Sequence, residues 1–299
     1  MNLKEELKNY AMEHMEMDYF GVANVERFAG APAGSRPTEI LPGAKSVVVM
    51  AVKLSLGAVQ NIFRAHEDGI RGALGIYGSY AYAMFPNYSL KFAAYSLARQ
   101  LEKRGHMSNP MPSGPGSASI FLSNRHAAAA AGIGYLGWHG LLTTPDYGPR
   151  VRIVSVVTRA ELEPDPLVPV PSICDPVKCG ICIKICPSHA ITREKYHSCK
   201  IDNVEYTYSK LNWAACQMCT EGLTNKNMAL NNYPMPDHEI TMDDLNEARK
   251  QMDPRQKFEV IGTSSAFHCG FCQANCPIGP KGWLKTVSKR EQTRGLDKK

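Results

Sequence analysis

The ten cysteines all lie beyond residue 173, and six of them form two groups with one spacing: Cys179, Cys182 and Cys186 before Pro187, then Cys269, Cys272 and Cys276 before Pro277. Thiolates are soft ligands for iron and zinc, and C-x2-C-x3-C-P written twice is the grammar of a chain that holds a pair of iron–sulfur clusters. The chemistry this implies is one-electron transfer.

In the run that serves two cubes, three closely spaced cysteines bind one cube and the cysteine before proline reaches the other. Position 176 is proline, so the leading ligand of the first group is Cys174, and the loop Asp175 to Lys178 absorbs the longer spacing. The expected ligands are Cys174, Cys179, Cys182 and Cys276 for cluster one, and Cys186, Cys269 and Cys272 for cluster two. The fourth ligand of cluster two comes from Cys199, Cys216 or Cys219; Cys216, in W-A-A-C-Q-M-C after the strand-like Val204 to Tyr208, is the first choice and Cys199 the second. A zinc ribbon built on the C-x2-C pairs is the alternative, but one zinc needs neither the additional Cys-Pro nor so many thiols. Disulfides require an oxidising compartment, and nothing in the sequence indicates export.

Other motifs carry less. Gly132-Ile-Gly134-Tyr-Leu-Gly137 matches the dinucleotide fingerprint, yet that motif needs a strand before it, and Ala127 to Ala131 favours helix. A turn where backbone approaches backbone is the expected role. His126 and His139 flank it and could ligate or move protons, although packing is the commoner role. Tyr77, Tyr80 and Tyr82 could donate a proton, with aromatic packing as the default.

These residues need elements to hold them. Leu3 to Met17 has helix-forming composition, Ser46 to Val52 and Val151 to Thr158 read as buried strands, Ser89 to Arg104 as an amphipathic helix closed by Gly105, and Asn124 to Ala131 as a further helix. Helices and strands alternate in the first half in an α/β manner, whereas the second half reads as short helices and loops. The proline-rich Glu161 to Pro171 separates them, so the expectation is an α+β chain with an N-terminal domain over 1–166, a ferredoxin-like two-cluster domain over 167–285 and a basic tail over 286–299.

At 299 residues and 44% hydrophobic composition the chain can bury a substantial core. The formal charge of +6 counts cysteines as neutral. Two cubes of four thiolates each, about −2 per site, bring it to about +2, which is weak support for a nucleic-acid partner. No apolar run is long enough to span a membrane, and the start is acidic and amphipathic, with neither a secretory nor a twin-arginine leader; a cytoplasmic location is expected.

The order of I-L-P-G-A-K-S-V-V-V-M-A-V (40–52), R-H-A-A-A-A-A-G-I-G-Y-L-G-W-H-G-L-L-T-T-P-D-Y-G-P-R-V-R-I-V-S-V-V-T (125–158) and the two Cys-Pro groups resembles epoxyqueuosine reductase and its relatives, which extend to the reductive dehalogenases. The resemblance implies a base-off cobalamin between an α/β domain and a ferredoxin-like domain. It points to His139, Leu142, Thr143 and Arg152 as corrinoid contacts and to a ferredoxin or flavodoxin as electron donor. Two departures accompany it. Where the reductases have a proton-donating aspartate, this chain has S-G-P-G-S-A-S, with Ala118 at that place, so the catalytic acid is unknown. Only 23 residues follow Cys276, so the helical-repeat extension of longer members, a plausible tRNA-binding element, is expected to be absent. The expected function is reduction of a small or nucleoside-like substrate, with an electron-transfer module for a partner enzyme and a tRNA-modifying reductase as alternatives.

Overall fold

A computed structural model of the chain describes residues 2–82, 84–113, 121–224, 233–253 and 269–283. Ala118 and the basic tail lie outside the described residues. The strands are β1 (Tyr19–Asn24), β2 (Ser46–Lys53), β3 (Ser108–Pro110), β4 (Tyr135–Leu136), β5 (Leu142–Thr143), β6 (Val151–Thr158), β7 (Tyr196–Ile201) and β8 (Val204–Ser209). The α-helices are α1 (Leu3–Asn9), α2 (Pro37–Ile40), α3 (Leu56–Val59), α4 (Asn61–Asp68), α5 (Ala73–Tyr77), α6 (Phe85–Glu102), α7 (Asn124–Ala130), α8 (Ile181–Ile185), α9 (Trp213–Thr220), α10 (Met242–Lys250) and α11 (Phe271–Ala274).

A four-stranded sheet of order β1-β2-β6-β3 forms the centre, and every neighbouring pair is antiparallel. The α/β reading of the first half leaves strand direction open, and the sheet is antiparallel throughout. Long connections carry the chain between antiparallel neighbours, giving a mixed α and β fold. Val47 to Ala51 are fully buried because both faces of β2 are covered. Val48 and Met50 pair with Val156 and Val154 and face α1 and α6, where Leu7, Leu90, Ala94 and Leu97 pack. Val47 and Val49 point the other way, onto the alanines of α7. Each buried valine contributes roughly 1.5–3 kcal/mol, so this sheet dominates the core.

The second half lies against the first. Asp165 accepts hydrogen bonds from the Val22 amide and the Lys4 ammonium, both at 2.8 Å, and Leu167, Val168 and Val170 pack on the α7 side of the core. The β7–β8 hairpin adds Ile201 and Tyr206 to that same core. Phe271 and Ala274 of α11, with Trp283, share a third core with α3, α4 and α5. No helix among the described residues is long and apolar enough to cross a membrane.

Candidate functional site

Each cysteine group is a loop, a one-turn helix and a Cys-Pro step. Gly180, at φ +60°, leads into α8, which carries Cys182 and stops at Cys186 before Pro187; α11 carries Cys272 and stops before Cys276 and Pro277. Proline disfavours helical backbone at the residue before it, which explains both stops. With α8 packed on α11, each proline-marked cysteine falls beside the other group. A cavity of about 30 Å3 is lined by Cys174, Cys179, Cys182 and Cys276. A second, of about 310 Å3, is bordered by Cys186, Cys216, Cys219, Cys269 and Cys272.

Cys199 borders neither cavity; it lies in β7 opposite Tyr206. Cys216 and Cys219 both come from α9, held by the Asn212 side chain, which accepts from the Ala215 amide. The Cys186 sulfur is near enough to Cys216 to raise its pKa, and the Cys216 sulfur acts in turn on Cys269 and Cys272, whereas Cys219 acts on Cys269. Among the described residues no three His, Cys, Asp or Glu side chains converge on a point that a single ion could occupy.

The thiols resist ionisation. Burial, reinforced by neighbouring sulfurs, pushes Cys182 up to about 12; burial does the same for Cys276, and raises Cys216 to about 11. Cys269 and Cys272 are shifted upward as well, again chiefly by burial. Grouped thiolates in this setting need a cationic core between them.

Three arginines surround these cysteines: Arg150 is buried beside Cys276, Arg152 is half-buried near Cys272, and Arg125 sits at the exposed rim of the larger cavity. Arg150, fully buried just ahead of β6, donates to the carbonyls of Gln273 (3.2 Å), Cys276 (3.0 Å) and Ile278 and stacks over Trp283, which clamps the second Cys-Pro turn. Arg152 donates to the Tyr82 (2.8 Å) and Ala81 (3.1 Å) carbonyls, and Arg125 to that of Gly140. Both line the larger cavity, whose described lining holds no aspartate or glutamate.

Two further observations fit a cluster at the second group. The Tyr77 hydroxyl is fully buried and has no hydrogen-bond partner among the described residues, so it needs an acceptor. It sits against Gly270, between Cys269 and Cys272, where any Cβ would collide with it. Cluster sulfurs are acceptors of the required kind. At the first group the Trp138 amide donates to the Cys174 sulfur at 3.4 Å.

Of the residues to which the resemblance points, His139, Leu142 and Arg152 line the larger cavity and His139 borders the smaller one too. Thr143 does not; it is buried in β5 and its hydroxyl donates to the Leu141 carbonyl. His139 accepts the Leu141 amide on Nδ1 at 3.1 Å, and burial with the charges of Arg150 and Arg125 lowers its pKa to about 4. His126 lies away from the cavities, bonded to Ser123 and Tyr208. Tyr82 lines the larger cavity and Tyr80 is on the surface. The glycine motif follows α7 and forms a close turn: Gly132, at φ +69°, lies on the Pro166 carbonyl where no side chain fits. Arg125 and Arg150 carry no signal in the sequence, whereas Cys219 is one of the three candidates for the fourth ligand of cluster two and borders the larger cavity beside Cys216. An arginine in P-D-Y-G-P-R has no diagnostic spacing, and only the return of α11 beneath it gives it a role.

No protein-family model matches the chain. Among curated proteins, epoxyqueuosine reductase of Bacillus subtilis is 37% identical over 70 residues, 23% of this chain and 17% of that protein. Tetrachloroethene reductive dehalogenase of Desulfitobacterium hafniense is 36% identical over 111 residues, 34% and 17% of the two chains. A solved epoxyqueuosine reductase from Bacillus subtilis superimposes with a TM-score of 0.56 at 20% identity, covering 93% of this chain and 66% of that one. The chain shares that fold. A solved epoxyqueuosine reductase bound to a modified tyrosine tRNA stem loop gives 0.53 at 19% identity, with 92% and 65% coverage. The chain thus resembles both kinds of protein in sequence, its alignments span less than a fifth of the curated relatives, and it covers about two thirds of the solved reductases.

Proposed function

We propose that the chain is an iron–sulfur oxidoreductase in which Cys174, Cys179, Cys182 and Cys276 hold one [4Fe–4S] cluster, and Cys186, Cys216, Cys269 and Cys272 a second. The substrate is a small or nucleoside-like molecule in the larger cavity. The observation that carries this reading is the sorting of nine cysteines onto two cavities, with Cys276 on the first group's cavity and Cys186 on the second's. Bound clusters supply single electrons. The protein supplies the rest: Arg125, Arg150 and Arg152 offset the charge of about −2 per cluster site, the Tyr77 hydroxyl and the Trp138 amide donate to sulfur, and the largely apolar cavity excludes water from a bound substrate. Iron and sulfide analysis after anaerobic purification tests it. About eight irons per chain, with paramagnetic signals on reduction, are expected; zinc without sulfide would overturn the assignment.

A corrinoid is implied by the resemblance, and the position of the larger cavity, between His139, Leu142 and Arg152 and the second cysteine group, favours it. The size does not. About 310 Å3 is the scale of one drug-sized ligand, the same space has to take the second cluster, and a corrinoid is bulkier. A corrinoid would extend beyond this space through the open side of the cavity. Anaerobic gel filtration with reduced cobalamin decides this: co-elution of corrin absorbance supports it, and none under reducing conditions excludes it. A tRNA substrate is favoured by the fold shared with the tRNA-bound reductase, and failure of tRNA to bind at low salt would remove that reading.

A further inference from the structure

We propose that the outer face of α6 is a homodimer interface in which two copies of the helix pair antiparallel about a two-fold axis. The inner face is occupied by the sheet through Leu90, Ala93, Ala94, Leu97, Ala98 and Leu101. On the outer face Phe85, Tyr88, Phe92 and Tyr95 are 55%, 50%, 73% and 56% exposed, and Tyr80, 51% exposed, stacks on Phe85 with its ring 5.0 Å away. A single exposed aromatic is ordinary, whereas four along one helix face form a patch.

The spacing of the four identifies the occupant. Intervals of three, four and three residues are the a/d seam by which one helix packs on another. They read the same from either end, so an antiparallel copy sets Phe85 against Tyr95 of the second copy and Tyr88 against its Phe92, and the two-fold repeats both pairs. Every layer joins a phenylalanine to a tyrosine. Arg99, one seam step further on, already lies over its own Tyr95 ring at 5.7 Å and comes opposite Tyr80 of the second copy, a cation over an aromatic face. Lys91, the charge nearest the axis, is folded over its own Tyr88 ring at 5.4 Å and flanks the seam.

The area is sufficient. At roughly 200 Å2 for a fully exposed ring, the five aromatics offer about 570 Å2 per copy, and the pair about 1,100 Å2, above the ~1,000 Å2 that separates specific interfaces from incidental contacts. The dimer does not depend on the cluster assignment, because the helix packs on the sheet rather than on the cysteine groups.

Sedimentation of the anaerobically purified chain from about 1 to 100 μM tests it, a range that spans micromolar association. The wild type is expected to dimerise within this range, and Phe92→Glu to stay monomeric throughout with unchanged circular dichroism and cluster absorbance, because Phe92 makes the outer face and not the core. Phe92→Tyr should retain the dimer. A wild type monomeric at the highest concentration overturns the proposal, whether or not the face then binds RNA or phosphatidylglycerol vesicles. A dimer that survives Phe92→Glu overturns it equally.

Discussion

The sheet of the first half and the cysteine region of the second are built on opposite terms. In β2 and β6 nearly every side chain is buried on one face or the other, and the helices covering them are long or alanine-rich. In α8 no residue is buried, and the segment from Cys174 to Cys186 surrounds a cavity instead of filling one. Hydrophobic packing accounts for the first region. The Cys174 to Cys186 segment has too little apolar burial to fix its own shape, unlike α9, α10, α11 and the β7–β8 hairpin beside it, and the missing stabilisation is what metal–thiolate bonds supply.

The largest expected effect follows from that contrast. Removing iron with a chelator under oxidising conditions should abolish most amide protection in 174–189 while β1, β2 and β6, and the β7–β8 hairpin packed on their core, stay protected; hydrogen exchange read by mass spectrometry distinguishes the two. Equal loss in both regions would erase the distinction. Next is Arg150→Gln, which leaves the carbonyls of Gln273, Cys276 and Ile278 without their shared donor. A loss of about 3 kcal/mol and of roughly half the iron is expected, because Cys276 is assigned to cluster one.

The seam between the regions should respond to acid. His126 of α7 bonds the Tyr208 hydroxyl of β8 at 2.9 Å, and burial, then Arg125 and His197, lowers its pKa to about 4. The unfolded histidine binds its proton first, near 6.5. Its contribution is therefore complete above that pH and is lost as pH falls through about 4, up to about 3 kcal/mol. Denaturation across this window should steepen with acid in the wild type and flatten in His126→Gln. In the sheet, Val154→Ala should cost about 2 kcal/mol with no change in iron content. The smallest effect is the most local. Tyr77→Phe keeps the ring and removes the hydroxyl, so cluster two alone should shift to a more negative midpoint potential in an EPR-monitored titration; an unchanged potential would remove the hydroxyl from its assigned role.

The sequence was most informative where one local rule decides. The run S-V-V-V-M-A-V becomes β2 because both its faces are covered, and the helix expected over Ser89 to Arg104 is α6, which begins earlier, at Phe85, since Pro86 is tolerated in a first turn, and ends two residues sooner, at Glu102. Cys276 lines the first group's cavity and Cys186 the second's, the arrangement on which the proposed crossed ligation rests. Strand direction was not legible: antiparallel pairing is set by how long connections return, which alternating elements do not encode. Arg150 and the Tyr77–Gly270 contact were hidden for a related reason. Each joins residues more than a hundred positions apart, and neither side carries a spacing signal. The resemblance points to Thr143 as a corrinoid contact, whereas in the structure it is buried in the two-residue strand β5 and does not line the larger cavity.

The crossed cysteines are the central claim, and spectra of single-cluster variants test them directly. Residual EPR spectra of Cys276→Ala and Cys179→Ala, recorded after reduction, should be superimposable, because both lose cluster one; Cys186→Ala and Cys272→Ala should form the other matching pair. If Cys276→Ala instead matches Cys272→Ala, each group holds its own cluster and the crossing is wrong.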